Sequence, residues 1–372
     1  MRIAIEAQRI YRKEKHGMDY VALEMIRELQ KSDTDNEYYI LVAPGKDRCL
    51  EESDNMHIVE INCFSYPLWE QIALPMALKK IKPDLLHCTS NTAPLFCNVP
   101  LVLTLHDIIF LEKKHGKTLS MYQKLGRVYR RLIVPMILKK CKRIITVSNF
   151  ECKHITETLG LNPAIIQAVY NGYAKHFKPI DNNHLITQKY IQDKEYLFFL
   201  GNTDPKKNTE GVLKAYAIYL KQTDSPLPLL IADLNENSID TYLKTNNISH
   251  IKSHLRFPGY IPNADLPAIY SGAQVFIYTS YRESFGIPIL EAMACGTPVI
   301  TSNTSAMPEI AGKEGLLIDP YQPQELAEAI WKLDNDSKYR DNQIAYGLER
   351  VKLFSWENTA KNVLIIYKEA LA

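Results

Sequence analysis

A pair of carboxylates in the segment 281–291 carries the clearest chemical signal in this chain. The segment reads Tyr-Arg-Glu-Ser-Phe-Gly-Ile-Pro-Ile-Leu-Glu, so Glu283 stands before a Phe-Gly turn and Glu291 stands after it. Pro288 suits the first turn of a helix, and Gly296 suits the position just past its end. These features predict that Glu283 lies on a loop before the helix and that Glu291 lies in its first turn.

The start of this predicted helix has the properties of an anion site. Backbone N–H groups near Gly286 and Ile287 would point outward there, where they can hold a diphosphate. The two carboxylates beside them can accept hydrogen bonds from sugar and ribose hydroxyls. We therefore predict a site for a nucleotide-diphosphate sugar. The alternative is that the acidic residues only stabilise the helix dipole.

The composition is that of an ordinary globular protein large enough for two domains. The chain has 372 residues, of which 46% are hydrophobic and 23% charged, and its formal net charge is +2. This balance gives no general attraction to nucleic acid. Seven scattered cysteines without a Cys-x-x-Cys pair favour reduced thiols, so we expect a cytoplasmic protein. We expect neither a signal peptide nor a membrane-spanning helix, because no apolar run is long enough.

Short apolar strands alternate with helical patterns in the first half, which is typical of βαβ units around a parallel sheet. The predicted strands are 2–7, 38–43, 85–88, 101–105 and 143–147. The predicted helices are 20–30, 68–80, 119–141 and 149–159. The run from Pro100 to Leu105 is almost continuously apolar, as expected for a strand that is buried on both faces.

The alternation restarts in the second half, after a polar segment, 177–193, that we interpret as a linker. The predicted strands are 196–200, 228–232, 255–257, 275–278 and 298–301, and the predicted helices are 209–222, 289–294 and 323–333. The last helix, 356–371, has an apolar stripe through Val363, Ile366, Tyr367 and Ala370. We predict an α/β fold of two doubly wound domains, 1–178 and 179–353, facing each other across a cleft. We expect the segment 354–372 to pack back on the first domain.

Two polar residues directly follow the predicted strand 101–105. Ligands bind open α/β sheets at the carboxyl ends of the strands, which is where His106 and Asp107 fall. This position favours a functional role. The alternative is that His106 is a structural residue, as a lone histidine more often is.

A second candidate is the loop 201–208, Gly-Asn-Thr-Asp-Pro-Lys-Lys-Asn, after the strand 196–200. Gly201 lets the backbone approach a ligand closely, and Lys206 and Lys207 offer positive charge to a phosphate. The alternative is a solvated turn before a helix. A weaker candidate is Gly17, which could present its N–H to a phosphate at the start of the first helix.

The segment 113–143 is basic and amphipathic. From Lys113 to Phe150 the chain has no Asp or Glu, while apolar residues interleave with the basic ones. Such a segment can lie on an anionic membrane or meet an anionic acceptor, and the alternative is a solvated helix face. The basic residues include Lys124, Arg127, Arg130, Arg131, Lys139, Lys140, Lys142 and Arg143.

Metal and dinucleotide motifs are missing from the sequence. There is no His-Glu-x-x-His and no Cys pair, and Asp33-x-Asp35 and Asp334-x-Asp336 sit in polar loops. The absence of Gly-x-Gly-x-x-Gly argues against a nicotinamide-dependent dehydrogenase. We expect no metal and no resident cofactor.

These segments together resemble glycosyltransferase family 4, the retaining enzymes with the GT-B fold. The segment 283–291 looks like the Glu-x7-Glu motif of that family, and 291–300 continues the match. The likeness covers nearly the whole chain and is strongest from Gly201 to Pro320. Further matching segments are Ser148-Asn-Phe, Asn171-Gly, Phe257-Pro-Gly-Tyr, Ser302-Asn, Pro308-Glu and Phe354-Ser-Trp.

The resemblance implies roles for the matching residues. Glu283 would hold the transferred sugar, Glu291 would bind the ribose, and Lys207 would neutralise the departing diphosphate. His106 would touch the sugar from the first domain, through its backbone carbonyl or its ring. The other implied donor contacts are Gly17, Gly201, Asn202, Lys206, Gly259, Tyr260, Ser284, Phe285, Gly286, Ile287 and Pro288.

The sequence departs from the family pattern at two loops. Asn202 stands where arginine often follows the glycine of the second-domain loop, and Lys206 can supply the missing charge. Asp19 stands where a second loop glycine is common, which changes how this loop meets a phosphate or an acceptor. The charged loop 12–16 before it is also particular to this chain.

The resemblance implies transfer of a mannose-like or glucose-like hexose from a GDP- or UDP-linked donor to an acceptor hydroxyl, with retained configuration. The expected acceptor is a glycan or a lipid-linked oligosaccharide in polysaccharide synthesis. The basic segment 113–143 favours the lipid-linked one, through a peripheral contact at the inner membrane surface. Two alternatives stay open. A sugar-nucleotide epimerase of the same form would need no acceptor, and a non-catalytic donor-binding scaffold would bind without turnover.

Overall fold

The computed structural model of the protein describes residues 1–112, 121–181 and 183–372. Within these residues the chain forms two units, of which the first comprises Met1–Gly172 together with Trp356–Ala372. The second comprises Tyr173–Ser355. The second unit includes the described part of the segment 177–193, and Phe177 and Ile191 are buried there.

The first unit is built on a parallel sheet of seven strands in the order β3-β2-β1-β4-β5-β6-β7. The central strands form because they are apolar and buried on both faces, as every residue of β4 and β5 is. The strand order reverses between β1 and β4. The strands are β1 (Arg2–Glu6), β2 (Glu37–Val42), β3 (Met56–Glu60), β4 (Leu85–Cys88), β5 (Leu101–Thr104), β6 (Cys141–Thr146) and β7 (Ile166–Ala168).

Helices cover this sheet. They are α1 (Gly17–Ser32), α2 (Tyr66–Leu68), α3 (Leu74–Ile81), α4 (Met121–Leu138) and α5 (Asn149–Leu159), and a π-helical turn, Trp69–Ala73, joins α2 to α3. The C-terminal helix, Trp356–Leu371, packs against α1. Its predicted apolar stripe is buried in the core of this unit, which confirms that the helix returns to the first domain.

The second unit is built on a parallel sheet of six strands in the order β10-β9-β8-β11-β12-β13. The strands are β8 (Leu197–Leu200), β9 (Leu229–Ala232), β10 (Leu255–Gly259), β11 (Val275–Tyr278), β12 (Val299–Ser302) and β13 (Leu316–Ile318). The order reverses between β8 and β11. The helices are α6 (His184–Thr187), α7 (Thr209–Tyr219), α8 (Glu236–Thr245), α9 (Leu266–Gly272), α10 (Ile287–Ala294), α11 (Met307–Ala311), α12 (Pro323–Asn335) and α13 (Ser337–Arg350).

The predicted fold class is confirmed, with differences at individual elements. The predicted helix 119–141 begins outside the described residues and runs too far, because a turn follows Leu138 and Cys141 already belongs to β6. The strands β3, β7 and β13 and the helices α6, α8, α9, α11 and α13 were not predicted. The strands are short edge or near-edge elements, and the sequence of α13 is mostly polar, so their apolar patterns are weak.

Candidate functional site

Glu283 is held on the loop between β11 and α10 by contacts with a neighbouring turn. Its backbone N–H donates to Ser305 Oγ at 3.0 Å, and its carbonyl accepts from the Ala306 N–H at 3.4 Å. Its side chain accepts a hydrogen bond from Lys207 Nζ at 2.6 Å. The backbone is thus fixed on one side, while the carboxylate is directed at a cation on the other.

Lys207 ends a short 3-10 turn, Pro205–Lys207, between β8 and α7. Its Nζ also donates to Tyr278 Oη at 3.2 Å and lies 5.2 Å from the centroid of that ring. The Lys207 and Glu283 side chains are only 22% and 12% exposed, so their ion pair is partly shielded from water. Burial, with the nearby Glu283 carboxylate, raises the pKa of Tyr278 well above its ordinary value, so its phenol keeps its proton.

The two loops that carry this pair lie at the switch point of the second sheet. They follow β8 and β11, the neighbouring strands between which the strand order reverses, and ligands bind open α/β sheets at such points. The Tyr281 N–H donates to the Lys206 carbonyl at 2.7 Å and so joins the loops directly.

Asn208 holds the same two loops together through hydrogen bonds of its side chain. It was not predicted as a site residue. Its Nδ2 donates to the carbonyls of Thr279 and Pro320, both at 3.0 Å, and its Oδ1 accepts from the Gly211 N–H at 3.2 Å. Asn208 is 3% exposed and adopts a left-handed φ of 58°, which asparagine tolerates better than most residues. The sequence signal that could have found it is an asparagine directly before a helical pattern.

The helix α10 begins one turn after Glu283, and within the described part of the chain no side chain caps its N-terminus. Gly286 occupies the N-cap with a φ of 110°, which favours glycine, and Pro288 stands in the first turn as predicted. The positive end of the helix dipole is therefore available to an anion. The prediction for Glu291 is wrong: because the helix starts at Ile287, Glu291 falls in its second turn.

Glu291 is half-buried, and Tyr270 Oη donates to its Oε2 at a distance of 3.4 Å. Burial raises the pKa of Glu291 to about 7. A carboxyl group with this pKa is partly protonated at neutral pH, and hydrogen bonds donated by hydroxyl groups favour its charged form.

Replacing Glu291 with glutamine is expected to change how stability depends on pH. The pKa of Glu291 is about 7 in the folded protein against an ordinary 4.5, so the folded state binds this proton more tightly. The resulting stabilisation is complete below the ordinary value and is lost as the pH rises through about 7. Over this interval we expect unfolding free energy to fall more steeply for the wild type than for Glu291→Gln in denaturant titrations. An equal pH dependence of the unfolding free energy in the two proteins would contradict the raised pKa of Glu291.

The remaining predicted donor residues fall into two groups. Gly201 is buried, and a Cβ there would lie 2.9 Å from the Ala232 carbonyl, so glycine is required by the close approach of two strand ends. Asn202 is exposed, and its Oδ1 accepts from the Asp204 N–H at 2.7 Å, which makes it part of the turn. Lys206 is half-buried beside Lys207.

The second group lies beyond the ends of β10 and β11. Gly259 ends β10 with a φ of 76°, and the next residue, Tyr260, is 75% exposed. Ser284 is half-buried, and Phe285 is buried with its ring 6.1 Å from that of Phe354. An exposed aromatic ring beside a positive-φ glycine is free to stack on a planar ligand.

His106 lies in the first unit, just beyond the end of β5, and is 5% exposed. Its N–H donates to Asn91 Oδ1 at 2.7 Å, and its Nε2 lies 3.0 Å from the Thr89 carbonyl. Because a carbonyl only accepts, Nε2 carries the hydrogen and Nδ1 is left as an acceptor. Burial lowers the pKa of His106, so the ring is neutral at pH 7. Asp107 Oδ1 accepts from the Ile109 N–H and shapes the following turn.

Gly17 and Asp19 begin the helix α1. Gly17 is exposed, and a Cβ there would meet no atom within 4 Å, so packing does not require glycine at this position. Asp19 is 2% exposed, and its Oδ2 accepts from the His16 N–H at 3.0 Å.

The described residues contain no group of three His, Cys, Asp or Glu side chains arranged to hold a metal ion. All seven cysteines are free thiols.

Both units match known families. Residues 16–175 match the family described as Glycosyltransferase Family 4, and residues 183–350 match Glycosyl transferases group 1. The chain is 31% identical over 271 residues to the O-antigen chain mannosyltransferase B of Escherichia coli, covering 72% of this chain and 70% of that protein.

Other similarities are more distant. The chain is 26% identical over 310 residues to the serotype-specific mannosyltransferase WbdA of Escherichia coli, covering 78% of this chain but only 37% of that relative's length. The crystal structure of Anabaena HepE in complex with UDP and glucose has a TM-score of 0.73 and 17% identity, over 99% of each chain. The fold is therefore shared with a much more divergent protein. Together with the family matches to both units, these similarities show that the chain belongs to the family 4 and group 1 glycosyltransferases, which have the GT-B fold of two Rossmann-like domains.

Proposed function

We propose that this glycosyltransferase moves a hexose, mannose or glucose-like, from a GDP- or UDP-linked donor to an acceptor hydroxyl with retention of configuration. The observation that carries the proposal is the ion pair of Lys207 with Glu283 at the switch point of the second sheet, beside the uncapped start of α10. We further propose that the enzyme acts in the synthesis of a bacterial-type polysaccharide or a lipid-linked glycan.

Two relatives support a mannosyl donor and one neighbour supports a nucleotide donor. The similar proteins of Escherichia coli are named mannosyltransferases, one of them for the O-antigen chain. HepE was crystallised with UDP and glucose. Mannose is therefore our first choice of sugar, and the base is GDP or UDP.

The charges of the site suit a departing diphosphate. An ammonium group has three N–H donors, and Lys207 uses two of them for Glu283 and Tyr278 among the described residues, so the third can donate to a phosphate oxygen. The start of α10 and Lys206 add positive potential at the same point. Stabilising charge that develops in the transition state is usually the largest catalytic contribution.

The carboxylates suit the hydroxyl groups of the donor. Glu283 would accept from sugar hydroxyls and hold the ring while the anomeric carbon gains positive character, so it acts as a positioning residue. Glu291, whose pKa lies near neutrality, would accept from ribose hydroxyls. The acceptor would attack from the face that the diphosphate leaves, and the leaving phosphate would take the proton. In this scheme no metal is required.

A thermal-shift screen tests the donor proposal. Purified protein would be heated with GDP, UDP, ADP and their sugar conjugates, with and without EDTA. A nucleotide-selective rise in melting temperature that survives EDTA is expected, and it would identify the base. Loss of the shift with EDTA would contradict the metal-independent site, and no shift with any nucleotide would contradict the donor site itself.

Product analysis then separates the alternatives. Incubation with the selected donor and a glycan acceptor should give a new glycoside whose anomeric configuration, read by NMR, matches that of the donor. Free nucleotide with an altered sugar and no need of acceptor would indicate an epimerase. Donor binding without turnover across many acceptors would indicate a scaffold.

We also propose a peripheral contact with an anionic membrane on the cytoplasmic side, through the helix α4. Its exposed apolar residues recur at helical spacing and so form one face, with basic residues beside them. The residues 113–120 of the predicted basic segment lie outside the described part of the chain. The exposed apolar face of α4 consists of Met121 (74% exposed), Leu125 (64%), Val128 (54%), Leu132 (64%) and Met136 (53%).

A second exposed apolar stripe lies on the neighbouring α2–α3 segment. Gln71 Nε2 donates to Tyr129 Oη at 2.8 Å, and the rings of Tyr66 and Tyr129 pack edge to face, so this segment contacts α4. The exposed residues are Phe64, just before α2, and Leu68, Ile72 and Met76, which follow at intervals of four residues. Two adjacent stripes with basic residues match the apolar and anionic layers of a bilayer surface. The described residues contain no helix apolar enough to span a membrane.

Replacing Leu125 and Leu132 with glutamate is expected to weaken binding to phosphatidylglycerol vesicles about tenfold or more, because two side chains that would be buried in the lipid become charged. Sedimentation measures the effect, and added salt should weaken binding by the wild type. Leu185→Glu is the matched control, since Leu185 is 79% exposed in the second unit. Failure of the wild type to bind these vesicles at low salt would refute the contact. A changed oligomeric mass in the variant with unchanged vesicle binding would instead assign the stripe to self-association.

A further inference from the structure

The connection between β1 and α1 and the first turn of α1 contain buried polar atoms that have no hydrogen-bond partner among the described residues. They are Gln8 Oε1 and Arg9 Nε on the connection and Asp19 Oδ1 in the helix. Buried polar atoms are nearly always paired, so three within this short stretch need an explanation. The connection leaves the sheet where its strand order reverses between β1 and β4, the point at which open α/β sheets bind ligands.

Asp19 is the most deeply buried of the three side chains, at 2% exposed. One carboxyl oxygen accepts from the His16 N–H and caps the helix, but the other is unpaired. Asp19 takes the N3 position of a capping box, a role that needs only one side-chain oxygen. An unpaired buried oxygen typically costs more folding free energy than an acidic group contributes through the helix dipole. Capping alone therefore does not explain an aspartate at this position.

The connection after β1 joins a polar network at the end of the sheet. His106 Nε2 donates to the Thr89 carbonyl. Thr89 in turn donates from its N–H and its hydroxyl to Glu6 at the end of β1, and Glu6 also accepts from the Gln8 N–H. Burial lowers the pKa of His106, and the charge of Asp19 acts in the opposite direction. Polar groups from the ends of β1, β4 and β5 therefore meet beside Gln8.

The donors and acceptors of this network indicate the class of ligand. Asp19 and Gln8 each offer an unpaired acceptor, and Arg9 offers one donor. Each hydroxyl group has one hydrogen to donate, so two hydroxyls would be needed to pair Asp19 and Gln8, and the oxygen of either one can accept from Arg9. A phosphate or carboxylate could accept from Arg9 but would be repelled by Asp19 and by the nearby Glu6. The combination favours a neutral compound with several hydroxyls.

We propose that Asp19, assisted by Gln8, accepts hydrogen bonds from hydroxyl groups of the acceptor sugar and thereby determines which acceptors the enzyme uses. The inference rests on the proposed function, because it names the residue that selects the acceptor in that reaction. Asp19 acts by binding and takes no part in proton transfer.

The test compares the wild type with Asp19→Asn, which keeps the size and the capping oxygen. Transfer is measured to the octyl glycosides of mannose, glucose, galactose and N-acetylglucosamine, and then to the monodeoxy analogues of the one used best. We expect Asp19→Asn to raise the acceptor KM about tenfold or more with unchanged donor affinity. It should also lose the preference of the wild type for one particular hydroxyl.

Two further variants provide a matched control and a second test of the same network. Asp336→Asn is the matched control, because Asp336 Oδ1 caps α13 by accepting from the Tyr339 N–H at 2.9 Å and belongs to the second unit. Gln8→Met tests the same network if Asp19→Asn does not fold, and the same rise in acceptor KM is expected. Unchanged acceptor KM and unchanged hydroxyl preference, or a lower melting temperature alone, would overturn the inference. Donor binding by a wild type that transfers to none of the glycosides would instead overturn the proposed function.

Discussion

We expect Glu283→Gln and Glu283→Ala to lower turnover by about a hundredfold or more, because loss of one precise positioning contact can cost this much. The hydrogen bond of its backbone N–H to Ser305 fixes the Glu283 backbone, and the 2.6 Å contact with Lys207 directs its carboxylate. Glutamine keeps the shape but removes the charge, so Lys207 loses its anionic partner. The measurement is kcat at saturating donor, together with the melting temperature.

Asp193→Asn is the matched control for this prediction. Asp193 forms a pair with Arg256 at 2.9 Å in the same unit, with both side chains about one-third exposed, so its loss should leave kcat near that of the wild type. Lys207→Ala should lower kcat in the same way, and the double variant should be little worse than either single one, since the pair acts as a unit. Turnover within threefold of wild type in Glu283→Gln would remove this residue from the mechanism.

The parts of the site that could be predicted from the sequence depend on local signals. The alternation of apolar strands and helices predicted the two sheets, and the positions of Pro288 and Gly286 marked the start of α10. The Lys206-Lys207 loop was found because it follows a buried strand. Each of these inferences needs only neighbouring residues, because turn chemistry and periodicity act over a few positions.

The contacts that assemble the site could not be predicted in this way. Lys207 is 71 residues from Tyr278 and 76 from Glu283, and nothing in the local pattern selects these partners. The raised pKa of Glu291 likewise depends on burial, which only the packed structure supplies, and the hydrogen bond from Tyr270 offsets part of the rise. Long-range pairing follows from the strand order, which the alternation of strands and helices does not predict.

The exposed apolar residues of the segment 68–80 could not be predicted from the sequence either. The predicted helix 68–80 contains apolar residues on two faces, and the structure buries Trp69, Leu74 and Leu78 while exposing Ile72 and Met76. A periodic pattern predicts that a helix has an apolar face, but with two such faces it does not decide which one meets the core. The π-helical turn at Trp69–Ala73 further rotates the faces relative to a regular helix.

Replacing Asn208 with alanine is expected to destabilise the second unit by about 2–4 kcal/mol and to lower turnover at least tenfold. The change removes a helix cap and leaves the buried carbonyls of Thr279 and Pro320 without their donor. Calorimetry measures the stability. Asn235→Ala is the matched control, since Asn235 caps α8 at the surface through the Ser238 N–H, and its loss should cost only about 1 kcal/mol. Equal losses of stability in the two variants would show that Asn208 contributes no more than an ordinary helix cap.

Gly211→Ala tests the same anchor without altering Asn208. A Cβ at Gly211 would lie 2.1 Å from Asn208 Oδ1, so the asparagine must move and release both loops. In an exposed helix this substitution normally stabilises by up to about 1 kcal/mol, so a loss of stability would have to come from the displaced anchor. Gly126→Ala in α4 is the control, because the nearest atom to its added Cβ is 3.7 Å away, and it should be neutral or stabilising. We expect Gly211→Ala to reproduce the loss of turnover of Asn208→Ala. Both changes disrupt the hydrogen bond through which Asn208 joins the Lys207 turn to the Glu283 loop. A Gly211→Ala enzyme as active and as stable as the wild type would show that the two loops hold their positions without Asn208.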